Sequence, residues 1–198
     1  MIDASVVLHN IKNISQIVFE VTDACNLRCK YCGYGGLYEG YDKREDKFMA
    51  FGVSKSILDY LFNIWKSNCS RGICNPVTIG FYGGEPLLNM PLVCDIVDYV
   101  GRQGEMGKKF FFNMTTNAML LDRYVDYLAE HEFRLLISLD GDKEGQGYRV
   151  DANGNNSFDR VISNIKLLQT KYPEYFDKFV MFNSVLHNKN SVLVDDKN

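Results

Sequence analysis

Three cysteines within eight residues, Cys25-Asn26-Leu27-Arg28-Cys29-Lys30-Tyr31-Cys32, are the side chains in this chain best suited to chemistry. Soft thiolates select zinc, copper(I) or iron–sulfur clusters. Three ligands with no fourth in reach leave one coordination position open, which in a [4Fe–4S] cluster is one iron without a protein ligand. An open iron can bind a substrate or cofactor, so the spacing points to reactivity and not only to structure. Two plainer arrangements use the same residues. A structural zinc knuckle needs a closed tetrahedron, with its fourth ligand drawn from Cys69, Cys74, Cys94 or one of three histidines. Alternatively the thiols pack as small hydrophobes. Arg28 and Lys30 between them argue for a polar setting, since nearby cations favour the thiolate.

Further candidates lie downstream: Gly83-Gly84-Glu85-Pro86, Thr116-Asn117, Ser138 with Asp140, and Arg149. Two glycines permit backbone conformations and approaches that a side chain blocks, and a turn there can offer carbonyls to a cation. The plain alternative is a strand-to-loop turn with a solvated glutamate. Thr116 and Asn117 are equally suited to capping a helix. Ser138 and Asp140 interrupt an apolar strand and need partners if buried. A guanidinium such as that of Arg149 suits a carboxylate, to which it can donate two parallel hydrogen bonds.

The elements that must position these residues follow from periodicity. Apolar runs predict strands at Gln16–Thr22, Val77–Tyr82, Lys109–Thr115, Arg134–Leu139 and Lys178–Val185. Between them, three- and four-residue spacings predict helices: one capped by Ser54 with Trp65 on its buried stripe, one opened by Pro91, one capped by Asp122 and one capped by Ser157. Gly33–Gly52 and Gly141–Asn156 read as loops, Tyr172 precedes a helix-ending Pro173, and Cys69 and Cys74 fall in a loop from Asn68 to Asn75. Met1–Ser15 reads as a short N-terminal segment that could add an edge strand or meet a partner. Alternation of strand and helix predicts an α/β fold with a parallel sheet. In such sheets ligands collect at the C-terminal strand ends, and the cysteines, Gly83 to Pro86, Thr116-Asn117 and Ser138 to Asp140 each fall at or just beyond one.

Composition narrows the classes. The 198 residues are 46% hydrophobic, enough for one core. A formal net charge of −3 gives no nucleic-acid footprint. No apolar run approaches the roughly 18 residues of a membrane span, and no secretory signal opens the chain. Clustered cysteines fit a reducing, cytoplasmic setting.

Cys25, Cys29 and Cys32 with Tyr31, followed in order by Gly83-Gly84-Glu85-Pro86, Thr115-Thr116-Asn117 and Ser138-Leu139-Asp140-Gly141, resemble the radical S-adenosylmethionine (SAM) enzymes. The likeness runs from about Ile17 to about Asn190 and is strongest to the peptide- and protein-modifying branch, which includes anaerobic sulfatase maturases and ribosomal-peptide maturases. It implies a partial, open (β/α) barrel of six parallel strands, of which five are visible. It therefore implies a core at 16–198 that is truncated at its C-terminus. It implies a [4Fe–4S] cluster on the three cysteines, with SAM reductively cleaved there to a 5′-deoxyadenosyl radical. It further implies that Gly83, Gly84, Glu85 and Pro86 meet the methionine amino group, that Ser138 meets SAM's ribose or carboxylate, that Arg149 pairs with the carboxylate, and that Tyr31 meets adenine. The same likeness implies that Thr116, Asn117 and Asp140 complete the cofactor site. The loop reads Gly145-Gln146-Gly147 where the family has a His-Asp pair. Implied partners are a peptide or protein substrate and a reductant such as a flavodoxin or ferredoxin, with no nucleic acid and no membrane. A structural metal module and an idle enzyme fragment are the competing functions.

Overall fold

The computed structural model describes residues 3–34, 44–69, 75–103 and 108–191. Five parallel strands form one open sheet in the order of the chain: β1 (Gln16–Thr22), β2 (Val77–Gly83), β3 (Phe110–Thr116), β4 (Arg134–Ser138) and β5 (Val180–Asn183). Each parallel step needs a crossover, and helices supply it. Phe51–Cys69 crosses from β1 to β2 and Met90–Gly101 from β2 to β3; Val125–Glu130 follows β3, and Phe158–Lys171 with Pro173–Phe179 follows β4.

The helices cover one face. Phe19, Val21, Ile79, Phe81, Met114, Leu135 and Ile137 on the strands pack with Leu58, Phe62, Trp65, Val93, Ile96, Leu128 and Leu168 on the helices. Burying each such side chain contributes about 1.5–3 kcal/mol. Trp65 is fully buried, as its place on the apolar stripe predicts. Alternate strand residues face the other way, where Val18 is 56%, Tyr82 49% and Met181 56% exposed. The sheet is thus a half-covered wall, as a partial barrel requires.

Several boundaries differ from the sequence reading, each for a local reason. The N-terminal segment adds no edge strand. It forms a helix, α1 (Ala4–Lys12), whose first turn is capped by Asp3, with Oδ1 accepting from Ser5 N at 2.9 Å and Val6 N at 3.0 Å. The second helix, α2, begins at Phe51, so Ser54 lies within its first turn and donates back to the Phe51 carbonyl. That helix runs through Cys69, which removes Asn68 and Cys69 from the expected loop; Cys74 lies outside the described residues. After α3 (Met90–Gly101), Asp122 sits in a 3-10 turn, Leu121–Arg123, before α4 (Val125–Glu130). It pairs there with Arg160 at 2.8 Å instead of capping. Ser157 occupies the cap position of α5 (Phe158–Lys171) without capping it; its Oγ accepts from Gln146 Nε2, and Asn156 Oδ1 accepts from Phe158 N. Pro173 ends α5 and also opens α6 (Pro173–Phe179), so β5 starts two residues later than predicted. A proline costs little at a first helical position.

Candidate active site

The β1 end, the cysteine loop and the β2 end are built as one unit. Gly83 has φ +136°, a conformation open to glycine and rarely to others. The turn it makes presses the chain onto the residues before Cys25. Gly84 N donates to Thr22 O at 2.8 Å, and Glu85 N to Ala24 O at 2.9 Å. A Cβ on Gly84 would lie 2.1 Å from Ala24 O. The close approach that the paired glycines permit is therefore made by the chain's own backbone, at the entry to the cysteine loop.

Glu85 is not solvated. It is 1% exposed; Oε1 accepts from Leu87 N at 3.1 Å and Thr116 Oγ1 at 2.7 Å, and Oε2 from Asn117 N at 2.7 Å. Burial pushes its carboxyl up to about 7, while these donors pull it down. The side chain ties the β2 end to the β3 end. Asn117 Nδ2 then reaches Asn26 Oδ1 at 2.7 Å and Cys25 Sγ at 3.7 Å. Thr116 and Asn117 also cap their own turn, accepting from Ala118 N and Met119 N.

The β4 end reaches the cysteine loop through a backbone clasp. Arg28 N donates to Val150 O and Lys30 N to Tyr148 O, and Leu27 bridges Asp151. That clasp carries Arg149 in beside Cys29. Arg149 Nε and Nη2 donate to the two carboxylate oxygens of Asp140, at 2.9 and 3.2 Å, in a fully buried pair. The Tyr31 hydroxyl donates to Asp140 Oδ2, and Val185 N to Oδ1. Burial works against the Arg149 charge, yet its bonds to Asp140 raise its pKa overall. Burial first, and then the carboxylate it donates to, push the Tyr31 phenol up.

Cys25, Cys29 and Cys32 line one cavity of about 410 Å³ together with Tyr31, Gly83, Gly84, Glu85, Thr116, Asn117, Ser138 and Arg149. Small-molecule sites run from about 300 to 1,000 Å³. Pro86 and Asp140 do not line it; Pro86 is buried in a 3-10 turn and Asp140 stands behind Arg149. Among the described residues no three His, Cys, Asp or Glu side chains form a group that could hold a metal ion. Cys94 is remote from it, packed in α3 beside Tyr127. Larger cavities lie elsewhere, of about 480 Å³ beside Glu20 and Glu45 and about 660 Å³ beside Lys108 and His131, and neither gathers a thiol.

The cations at the thiols are not the expected ones. Arg28 donates to the carbonyls of Cys25 and Leu27, and Lys30 lies over the Tyr148 ring. Burial pushes the Cys25 thiol up and the Cys29 thiol up to about 11. The charges that oppose this are Arg44 at Cys25 and Arg149 at Cys29. Sequence reasoning missed Arg44, one of several charged residues in a long loop with no motif around it. It also missed Gln146, which is fully buried, accepts from Asp140 N at 2.8 Å and stands in the variant Gly145-Gln146-Gly147 segment. His187 escaped notice too; it packs on Tyr148 and Tyr31 with Nε2 3.7 Å from Asp140. Of the loop residues Tyr34, Gly35, Gly36 and Tyr38, Tyr34 lines the cavity and the others lie outside the described residues.

Comparisons with known proteins agree with this architecture. A family model, the Radical SAM superfamily, matches residues 19–191. A cysteine-type anaerobic sulfatase-maturating enzyme from Clostridium novyi (strain NT) is 29% identical over 83% of this chain and 42% of its own length. A GTP 3',8-cyclase from Clostridium botulinum (strain Okra / Type B1) is 32% identical over 73% of this chain and 40% of its own. The solved structure "Native anSMEcpe with bound AdoMet and Kp18Cys peptide" shares the fold, with TM-score 0.66 and 20% identity, over 89% of this chain and 55% of that one. The chain spans less than half the length of these two curated relatives.

Proposed function

Because this chain belongs to the radical SAM superfamily, we propose that it holds a [4Fe–4S] cluster on Cys25, Cys29 and Cys32 and binds SAM beside it, to modify a peptide or protein. The observation that carries the reading is the single cavity shared by three thiols and the ends of β1 to β4. The donor set fits the group: three soft sulfur ligands around open space, with N–H donors already at sulfur from Leu27 at 3.4 Å and Arg44 at 2.9 Å. Hydrogen bonds to sulfur are among the features that tune such clusters. When bound, the cluster supplies the electron that splits SAM into methionine and a 5′-deoxyadenosyl radical.

The chain's own residues bind and orient. The Gly83–Gly84 backbone and Glu85 face the cavity, where that backbone suits the SAM amino group, and Pro86 braces the turn from behind. Ser138 and Arg149 suit the SAM carboxylate. Asp140 takes one hydrogen from Nε and one from Nη2, so the Nη1 hydrogens and the second Nη2 hydrogen lie outside that pair. Tyr31 offers a ring to adenine while its hydroxyl is held by Asp140. The peptide half of the proposal is supported by the maturase relative and by the peptide in the anSMEcpe structure. A flavodoxin or ferredoxin would deliver the electron. No helix among the described residues is long and apolar enough to cross a membrane.

The test is anaerobic reconstitution with iron and sulfide, followed by assay of 5′-deoxyadenosine with dithionite and SAM. The parent chain is expected to take up about four irons and form the nucleoside, and Cys29→Ser to do neither. Zinc uptake in place of iron and sulfide, or a loaded protein that never cleaves SAM, overturns the reading.

A further inference from the structure

Arg44 has a place in the site that no sequence pattern announces. Its Nη2 donates to Cys32 Sγ at 2.9 Å and its Nη1 to the Leu27 carbonyl at 3.2 Å, so one side chain spans the cysteine loop. The guanidinium lies over the Tyr34 ring at 5.6 Å. The adjoining backbone is pinned. Glu45 N and Lys47 N donate to the Asp23 carboxylate at 2.8 and 2.5 Å, Thr22 Oγ1 donates to Lys47 O, and Met49 N donates to Val21 O. Residues 45–49 are thereby clipped along the end of β1, which fixes where Arg44 enters.

Its charge differs in kind from the other arginines nearby. Arg149 is neutralised by Asp140 in a buried pair. Arg28 is exposed, and water screens it. Arg44 is half-buried, lines the thiol cavity, and has no carboxylate partner among the described residues. Its Nε is buried with no acceptor among them either. A half-buried cation with an unspent donor at a sulfur ligand stabilises whichever state of that ligand set carries more negative charge. For a cluster, that is the reduced state.

Resting on the cluster reading above, we infer that Arg44 is a positioning residue for the sulfur ligands, which holds Cys32 and raises the reduction potential of a cluster bound there. The test uses the whole chain as parent, Arg44→Gln and Arg44→Lys, each reconstituted without oxygen. Iron and sulfide per chain are measured first, and then the midpoint potential by a redox titration followed by electron paramagnetic resonance. Arg44→Gln is expected to load and to favour the oxidised cluster at least tenfold over parent, about 59 mV for one electron. Arg44→Lys keeps the charge without the fork and is expected to recover most of that shift. Loading of Arg44→Lys but not of Arg44→Gln also sustains the inference, since a cation at Cys32 is then required for assembly. Equal potentials in parent and Arg44→Gln overturn it, as does loss of loading in both variants, which would make the arginine a staple of the fold. A parent chain that takes up no cluster sinks the cluster reading itself, and the inference with it.

Discussion

Replacing Gly84 with alanine tests whether the β2 turn positions the cysteine loop. The new methyl would lie 2.1 Å from Ala24 O and 2.5 Å from Asp23 O. Both are backbone atoms, so no side-chain rotation relieves the clash. The turn must lift away, and two hydrogen bonds go with it, Gly84 N to Thr22 O and Glu85 N to Ala24 O. Each bond contributes about 1 kcal/mol net, and a buried N–H left without an acceptor costs about 1–3 kcal/mol. With residual strain the expected loss is about 3–5 kcal/mol, or roughly 10 °C in melting temperature for a domain of this size. Gly52→Ala is the control. It lies in α2 with nothing within 4 Å of its Cβ, so alanine there should stabilise by about 0.5–1 kcal/mol. Thermal melts followed by circular dichroism give the first readout. The second is the rate of alkylation at Cys25, Cys29 and Cys32, resolved by mass spectrometry, which should rise in Gly84→Ala alone. A melt within about 2 °C of parent with unchanged alkylation would refute the claim that this backbone contact holds the loop.

Other perturbations report on other ties. Glu85 holds its proton to about 7 in the folded chain against an ordinary 4.5, so the folded state retains a proton that the unfolded state has released. Its effect on stability is absent below pH 4.5 and grows as a penalty up to pH 7, reaching about 3 kcal/mol at 1.36 kcal/mol per pH unit. Denaturant melts across that window should fall with pH in the parent and lose that slope in Glu85→Gln; equal slopes would count against it. Asp140→Leu strands the buried Arg149 charge and should cost about 3–5 kcal/mol, whereas Asp140→Leu with Arg149→Met should be milder than the single change. Urea midpoints at constant slope decide between them. Trp65→Ala opens the helix layer far from the cavity and should cost about 3–5 kcal/mol while leaving alkylation of the three loop cysteines unchanged in the folded protein.

The strand–helix alternation, the buried stripe through Trp65 and the grouping of candidates at strand ends were legible because they follow from periodicity, which each segment carries within itself. Cap positions were less so. Ser54, Asp122 and Ser157 have capping side chains, but each found a different partner once neighbouring segments were in place. The N-terminal helix lacked a signal because its apolar residues stay largely exposed, with Ile11, and Ile14 just beyond the helix, packed against the core. What residue types and spacing determined alone was the grouping of three thiols close in sequence, whose reach no folding could greatly change. What only the tertiary structure decided was which charges meet them. Arg28 and Lys30 are neighbours in the chain but spend their donors and charge on carbonyls and a ring, while Arg44 and Arg149 arrive from 12 and more than 100 residues beyond the last and middle cysteines. Electrostatic contact depends on distance through space, and a linear sequence holds that information only after backbone hydrogen bonds between distant segments have been made.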